Sequence, residues 1–291
     1  MQNNLQKFLQ VFKGDCYSKI YIKKYQRVIA FDLDETLGSF YHLSILWSGL
    51  RKLQETALQS EFNKILDLYP EFLRYGILTI IEYLYLKKKQ GECDKIYIYT
   101  NNTCDPPWVS LLTCYFKYKL NVSDDIFDQT ICAFKINNKI VELVRTTNDK
   151  TYSDFIRCTL LPRTTEICFV DNTHFPNMKH EKVYYIQPLT YNHSLSIKTI
   201  IDRFIFSPLA EIYDKPNIGE YLYDWFFING SEFIQYTGTD NNNYNNKINI
   251  MVAQKMMYHI KEFFYFTSRK NKTKKRVIRF SKRTRKKLSF L

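Results

Sequence analysis

The chain has 291 residues, enough to bury a substantial core, and with 45% hydrophobic, 16% aromatic and 24% charged residues its composition excludes disorder throughout. The net charge of +13 is uneven: twelve of the 42 lysines and arginines, and none of the 29 acids, fall in residues 269–291, which leaves 30 basic against 29 acidic groups in the body. The N-terminus MQNNLQKFLQVFKGD lacks the apolar centre of a secretory signal, and the most apolar window, 76–86, is broken by Glu82 and too short for the ~20 residues of a membrane span.

Residues 1–26 are mixed and give little. Val28-Ile29-Ala30-Phe31 makes 27–34 a short strand of the parallel type, covered on both faces. Leu43, Leu46, Leu50, Leu53 and Ala57, then Phe62, Ile65, Leu66 and Tyr69, recur at spacings of three and four and predict one or two amphipathic helices before Pro70. Ile77, Ile80, Ile81 and Leu84 predict another, with Lys87, Lys88 and Lys89 in its last turn and Gly91 as its stop. KIYIYT, ending at Thr100, is a strand, and a helix follows between Pro106 and Tyr118. Short strands are expected over 127–144, with a hairpin turn at Asn137-Asn138, and a helix begins near Asp149. ICFVD (167–171) and VYYIQPL (183–189) are further strands, 240–247 is a low-complexity loop, and a last helix spans 250–266. Alternating strands and helices predict an α/β doubly wound sheet, whose ligands sit beyond the carboxyl ends of the strands.

Three of these strands end in polar residues: Asp32 with Asp34, Thr100 with Asn101, and Asp171 with Asn172. Singly, each is an ordinary turn former or helix cap. Together they suggest one site, because two carboxylates at neighbouring strand ends would repel unless a cation lay between them. Oxygen ligands without His or Cys favour Mg²⁺ completed by substrate phosphate. Asp32 could then attack phosphorus, Asp34 could carry protons, and a lysine could balance charge.

These motifs resemble those of the haloacid dehalogenase superfamily phosphatases, and the spelling DLDETL is similar to the FCP/SCP group that dephosphorylates the C-terminal domain of RNA polymerase II. The resemblance covers about residues 25–206. The DxDx(T/V) motif is matched by Asp32, Leu33, Asp34, Glu35 and Thr36, the second motif by Thr100 in YIYTNN, and the fourth by Asp171 and Asn172 in FVDN. It implies a HAD-like doubly wound Rossmannoid parallel sheet, with Asp32 as nucleophile and metal ligand and Asp34 as acid/base lending its backbone carbonyl to Mg²⁺. It also implies a metal site completed by Asp171, and phosphate contacts from Thr36, Thr100, Asn101, Lys150 and Asn172. For the third motif, a lysine at a helix start, the resemblance implies Lys150, about twenty residues before Asp171, with Lys135 and Lys139 as alternatives; Thr151-Tyr152 departs from the family's KDL segment, and Arg74-Tyr75-Gly76 stands where the family has Arg-Pro-Gly.

The organisation expected is an N-terminal segment (1–26), a HAD-like domain (27–206) with a small helical cap insert (40–73), a C-terminal helical extension (207–268) and a basic tail (269–291). A cap of that size suits a macromolecular phosphomonoester, with Trp47 and nearby aromatics as contacts, or a helix pair that simply packs on the core. The function implied is a Mg²⁺-dependent protein serine/threonine phosphatase; the alternatives are a polynucleotide phosphatase of the same superfamily and a decayed nucleic-acid-binding or scaffold protein. The tail reads as a nuclear address or a contact for nucleic acid or an anionic surface. Seven cysteines, odd in number and without a CxxC pair, suggest a reduced intracellular setting, nucleus or cytoplasm. His259 reads as a packing histidine, and Cys104 as a bystander thiol.

Overall fold

Strands with unbroken apolar runs cannot show a face to water, so they stack side by side between helical layers. The computed structural model describes residues 9–14, 26–54, 59–102, 108–213, 215–230 and 246–267. Its strands are β1 (Leu9–Lys13), β2 (Arg27–Phe31), β3 (Lys95–Tyr99), β4 (Gln129–Ile131), β5 (Lys135–Ile136), β6 (Lys139–Ile140), β7 (Glu166–Val170) and β8 (Val183–Pro188). Its helices are α1 (Tyr41–Leu53), α2 (Gln59–Leu68), α3 (Ile77–Lys89), α4 (Trp108–Lys119), α5 (Tyr152–Thr159), α6 (Ile197–Ile205), α7 (Ile218–Gly230) and α8 (246–267). No helix among the described residues is long and apolar enough to cross a membrane.

Six strands form one sheet in the order β1-β8-β7-β2-β3-β4, parallel throughout except for β1, which runs antiparallel to β8. The molecule is therefore an α/β fold with a mostly parallel sheet. Alternate residues feed two cores. Ile29 and Phe31 of β2 join Ile96, Ile98 and Val170 under most of the helices, while Val28 and Ala30 join Tyr97, Tyr99 and Phe169 under Phe155 of α5. From β2 the chain proceeds to β3 on one side, and it later returns to β7 on the other. The winding thus reverses at β2, which opens a crevice at the carboxyl ends of β2 and β7.

The hairpin at Asn137-Asn138 forms as expected, both residues adopting positive φ (48° and 63°) between β5 and β6. The expected helix near Asp149 starts at Tyr152, capped by the Thr151 hydroxyl on the Asp154 N–H. Two features were not foreseen in the sequence, and a third selects between its alternatives for 40–73. Residues 1–26 contain β1, whose five residues carry too little alternation to be seen alone. The 40–73 segment is helical, but α1 and α2 pack inward through Leu43, Leu46, Leu50, Phe62, Ile65 and Leu66, all essentially buried. Within 207–268, α7 and α8 likewise supply Leu222, Phe226, Met256, Ile260 and Phe263 to the main core.

His259 on α8 is half-buried, its Nδ1 lying 2.8 Å from the Tyr184 hydroxyl. Cys93, Cys114, Cys158 and Cys168 are free thiols, whereas Cys132 is disulfide-bonded, which the odd count and missing CxxC pair did not anticipate. Cys104, most of the 240–247 loop and the basic tail lie outside the described residues.

A histidine pair joins α1 to the loop after β8. His193 Nδ1 accepts the Leu195 N–H (3.1 Å), so its Nε2 carries the proton that it donates to His42 Nδ1 (2.8 Å). Burial and the neighbouring His42 lower the His193 pKa from 6.5 to about 4, so the folded chain resists a proton that the unfolded chain accepts. Stability from this residue is complete above pH 6.5 and is lost as the pH falls towards 4, by at most about 3 kcal/mol. The stability gap between the unaltered chain and His193→Gln, from urea unfolding, should shrink by that amount between pH 7 and 4; a constant gap would contradict the assignment.

Candidate active site

Phe31 of β2 pairs with Val170 of β7, so the next residues, Asp32 and Asp171, leave their strands at the same level. Both carboxylates turn to one nitrogen: Lys150 Nζ lies 2.5 Å from Asp32 Oδ1 and 2.7 Å from Asp171 Oδ2. The two contacts sum to an upper limit of 5.2 Å between the carboxylate oxygens. All three residues are buried, with exposures of 8% for Asp32, 2% for Lys150 and 1% for Asp171. Lys150 comes immediately before the α5 cap and passes the rings of Tyr99 and Phe175. Lys135 and Lys139, on the exposed β5–β6 hairpin, do not reach the cleft.

The cleft holds about 400 Å³ and is walled by Asp32, Asp34, Thr100, Lys150, Asp171 and Asn172, among others. Asp34 Oδ2 accepts from Asn102 Nδ2 at 3.0 Å. Thr100 is buried; its hydroxyl oxygen accepts the Asn102 N–H (3.0 Å). Asn101 reaches the cleft with its side-chain oxygen tied to Arg145. Thr36 stands behind the cleft, fully buried, with its hydroxyl 3.0 Å from Asp32 Oδ2 and 2.8 Å from Asn172 Oδ1, so it orients those side chains from beneath.

Charge in the cleft is unbalanced. Burial raises the Asp34 carboxyl to about 6, helped by the Asp32 charge, and it raises Glu35 to about 7, helped by Asp34 and Asp32. Burial also pushes Asp171 upward, against the pull of Lys150. For Lys150, burial works against the ammonium, but the Asp32 and Asp171 charges overcome it and raise its pKa. Four carboxyl groups face one ammonium, an excess that fits a further cation with oxygen ligands. Among the described residues no cluster of three His, Cys, Asp or Glu side chains is arranged for a metal. The donor set on offer is narrower: the Asp32 and Asp171 carboxylates, with backbone oxygen at Asp34 to add.

Two buried arginines hold the loops in place: Arg74, noted in the sequence only as the start of the Arg-Tyr-Gly segment, and Arg145, not singled out there. Arg145, 1% exposed, donates to the carbonyls of Thr100 (3.0 Å), Cys132 (2.6 Å) and Asn148 (3.0 Å), as well as to Asn101. It thereby ties the ends of β3 and β4 to the loop that delivers Lys150. Arg74 donates to the carbonyls of Thr36, Glu35 and Leu189, bracing a turn in which Glu35 takes a positive φ of 54°. Asn102 and Glu35 were also missed. Only their adjacency to Thr100 and Asp34 could have flagged them.

Comparisons of the chain with protein-family models, with curated proteins and with solved structures return no match.

Two of the oxygens that Arg145 holds, the Thr100 and Cys132 carbonyls, are buried and would lose a charged donor together. Arg145→Met should therefore cost about 3 kcal/mol in urea unfolding. A loss below about 1 kcal/mol, the range of an ordinary surface change, would show that the clamp is not needed.

Proposed function

We propose that this chain is a Mg²⁺-dependent phosphomonoester hydrolase of the haloacid dehalogenase type, FCP/SCP-like, that acts through an aspartyl-phosphate on Asp32 and takes phosphorylated serine or threonine in proteins. The observation that carries the reading is the Lys150 ammonium bound to Asp32 and Asp171 together, with Asp34 on the same cleft. Asp32 Oδ attacks phosphorus while the bond to the leaving oxygen breaks, and Asp34 delivers a proton to that oxygen. Its raised pKa of about 6 keeps part of it protonated near neutrality. The Asp34 carboxylate then takes a proton from water as the water oxygen attacks phosphorus, which releases inorganic phosphate and restores Asp32. Lys150 neutralises charge on Asp32 and on the transferring group throughout. The Thr100 hydroxyl proton and the Asn101 amide nitrogen are left to offer to phosphate oxygens. Bound Mg²⁺, held by the Asp32 and Asp171 carboxylates and the Asp34 carbonyl, would supply the remaining positive charge and fix the phosphate for in-line attack.

The basic tail favours one second reading, a polynucleotide phosphatase using the same acids, with twelve cations to hold the strand. The tail also supports a nuclear address, within an intracellular setting. A decayed scaffold is disfavoured, because Asp34 sits in the cleft with its Asn102 support, and a proton carrier has no use in a site without chemistry.

The purified chain should release phosphate from p-nitrophenyl phosphate, and both Asp32→Asn and chelation of divalent ions should abolish it; full activity in Asp32→Asn would sink the mechanism. Asp34→Asn should slow phosphoserine peptides by about 10²–10⁴ and p-nitrophenyl phosphate much less, since nitrophenolate leaves without a proton. Equal losses on both substrates would deny Asp34 the acid role.

A further inference from the structure

Beyond Asp34 the cleft opens into a second, larger groove of about 900 Å³ that shares Asp34, Glu35 and Asn102 with it. One wall is a single face of α1: Tyr41, Ser44, Ile45, Ser48, Arg51 and Lys52 recur at spacings of three and four. From Tyr41 to Lys52 the helix rises about 16 Å, the reach of about five residues of extended chain. Trp108 at the start of α4 also lines the groove.

Two observations limit what can lie there. The positive charge is confined to the far end, where Arg51 and Lys52 are exposed in the last turn of α1. The middle is neutral, with Ser44, Ile45 and Ser48, and the near end carries the carboxyl groups of Asp34 and Glu35. A nucleic-acid strand bears a charge on every unit and is met by cations tracking its backbone, which this wall does not provide.

We propose that this groove seats an extended phosphopeptide, with its phosphorylated residue at Asp32 and a second anionic side chain, acidic or phosphorylated, four or five residues away on Arg51 and Lys52. Only the identity of the first phosphate's site rests on the phosphatase reading. The groove is thus a specificity element: a small phosphomonoester fills the acid cleft alone, whereas a doubly charged peptide spans both ends.

The test is binding by the full chain, read by fluorescence anisotropy, of peptides carrying a non-hydrolysable phosphonate mimic of phosphoserine and a second glutamate or phosphoserine placed one to seven residues away in either direction. In one direction, affinity should peak at a spacing of four or five, about tenfold tighter than at one. The peak should flatten as salt is raised, and it should vanish in Arg51→Ala/Lys52→Ala. The salt series on the unaltered chain keeps the proposal testable should that variant fold poorly. Affinity independent of spacing, or a spacing peak that survives both salt and the variant, overturns the proposal. Tighter binding of a 5′-phosphorylated oligonucleotide of matched charge, lost in the same variant, would assign the groove to nucleic acid instead. Because the mimic is not hydrolysed, a spacing peak without phosphate release from the natural peptides would count against the phosphatase reading and leave the groove standing.

Discussion

The structure turns on one ammonium group placed between two carboxylates at the ends of adjacent strands. Without it, charges no more than 5.2 Å apart would repel by about 3 kcal/mol even at an effective dielectric near 20, and each would also bear the cost of burial. The strands themselves cannot relieve this. β2 and β7 are locked in register by their ladder and by the residues that alternate into two cores, so Asp32 and Asp171 must emerge together. A cation is therefore a structural requirement of the sheet, and Lys150 is the one the chain supplies.

The same constraint explains why the surrounding loops are held so firmly. Lys150 arrives from a loop with little regular structure, and Arg145 fastens that loop to the ends of β3 and β4 through buried carbonyls. On the opposite side Arg74 braces the turn after β2, where Glu35 is kept in a strained conformation. These guanidinium groups address backbone oxygens and the Asn101 amide, so that Lys150 is the one cation among the described residues that pairs with the acids of the cleft. Negative charge thus stays concentrated at the crevice where the winding of the sheet reverses, the place where α/β folds receive ligands.

Much of this was legible in the sequence. Apolar runs ending in Asp or Thr located three strands and the residues at their tips, because a buried parallel strand leaves a signature in both its length and its abrupt end. The order of Asp32, Thr100, Lys150 and Asp171 along the chain was enough to bring them to one cleft. β1 was not legible, since a five-residue edge strand draws its stability from β8 rather than from its own pattern. Nor was Arg145, nor the bracing role of Arg74, since an arginine in a sequence looks the same whether it points to water or to buried carbonyls. The helices of 40–73 were seen, but periodicity cannot say whether a helix covers the core or a site. The structure gives α1 both duties, with its leucines turned inward and Tyr41 through Lys52 lining the groove. α6 was missed and α7 was foreseen only as part of a helical extension, because their residues meet partners far away in sequence, such as the Trp225 indole on the Ile45 carbonyl.

The central claim, that Asp32 and Asp171 need a cation between them, is tested most directly by the stability of Lys150→Met at pH 8, with and without millimolar Mg²⁺. The account predicts a loss of about 3–5 kcal/mol in urea unfolding without the metal, largely recovered when Mg²⁺ is added. A variant as stable as the unaltered chain, or one indifferent to Mg²⁺, would contradict it.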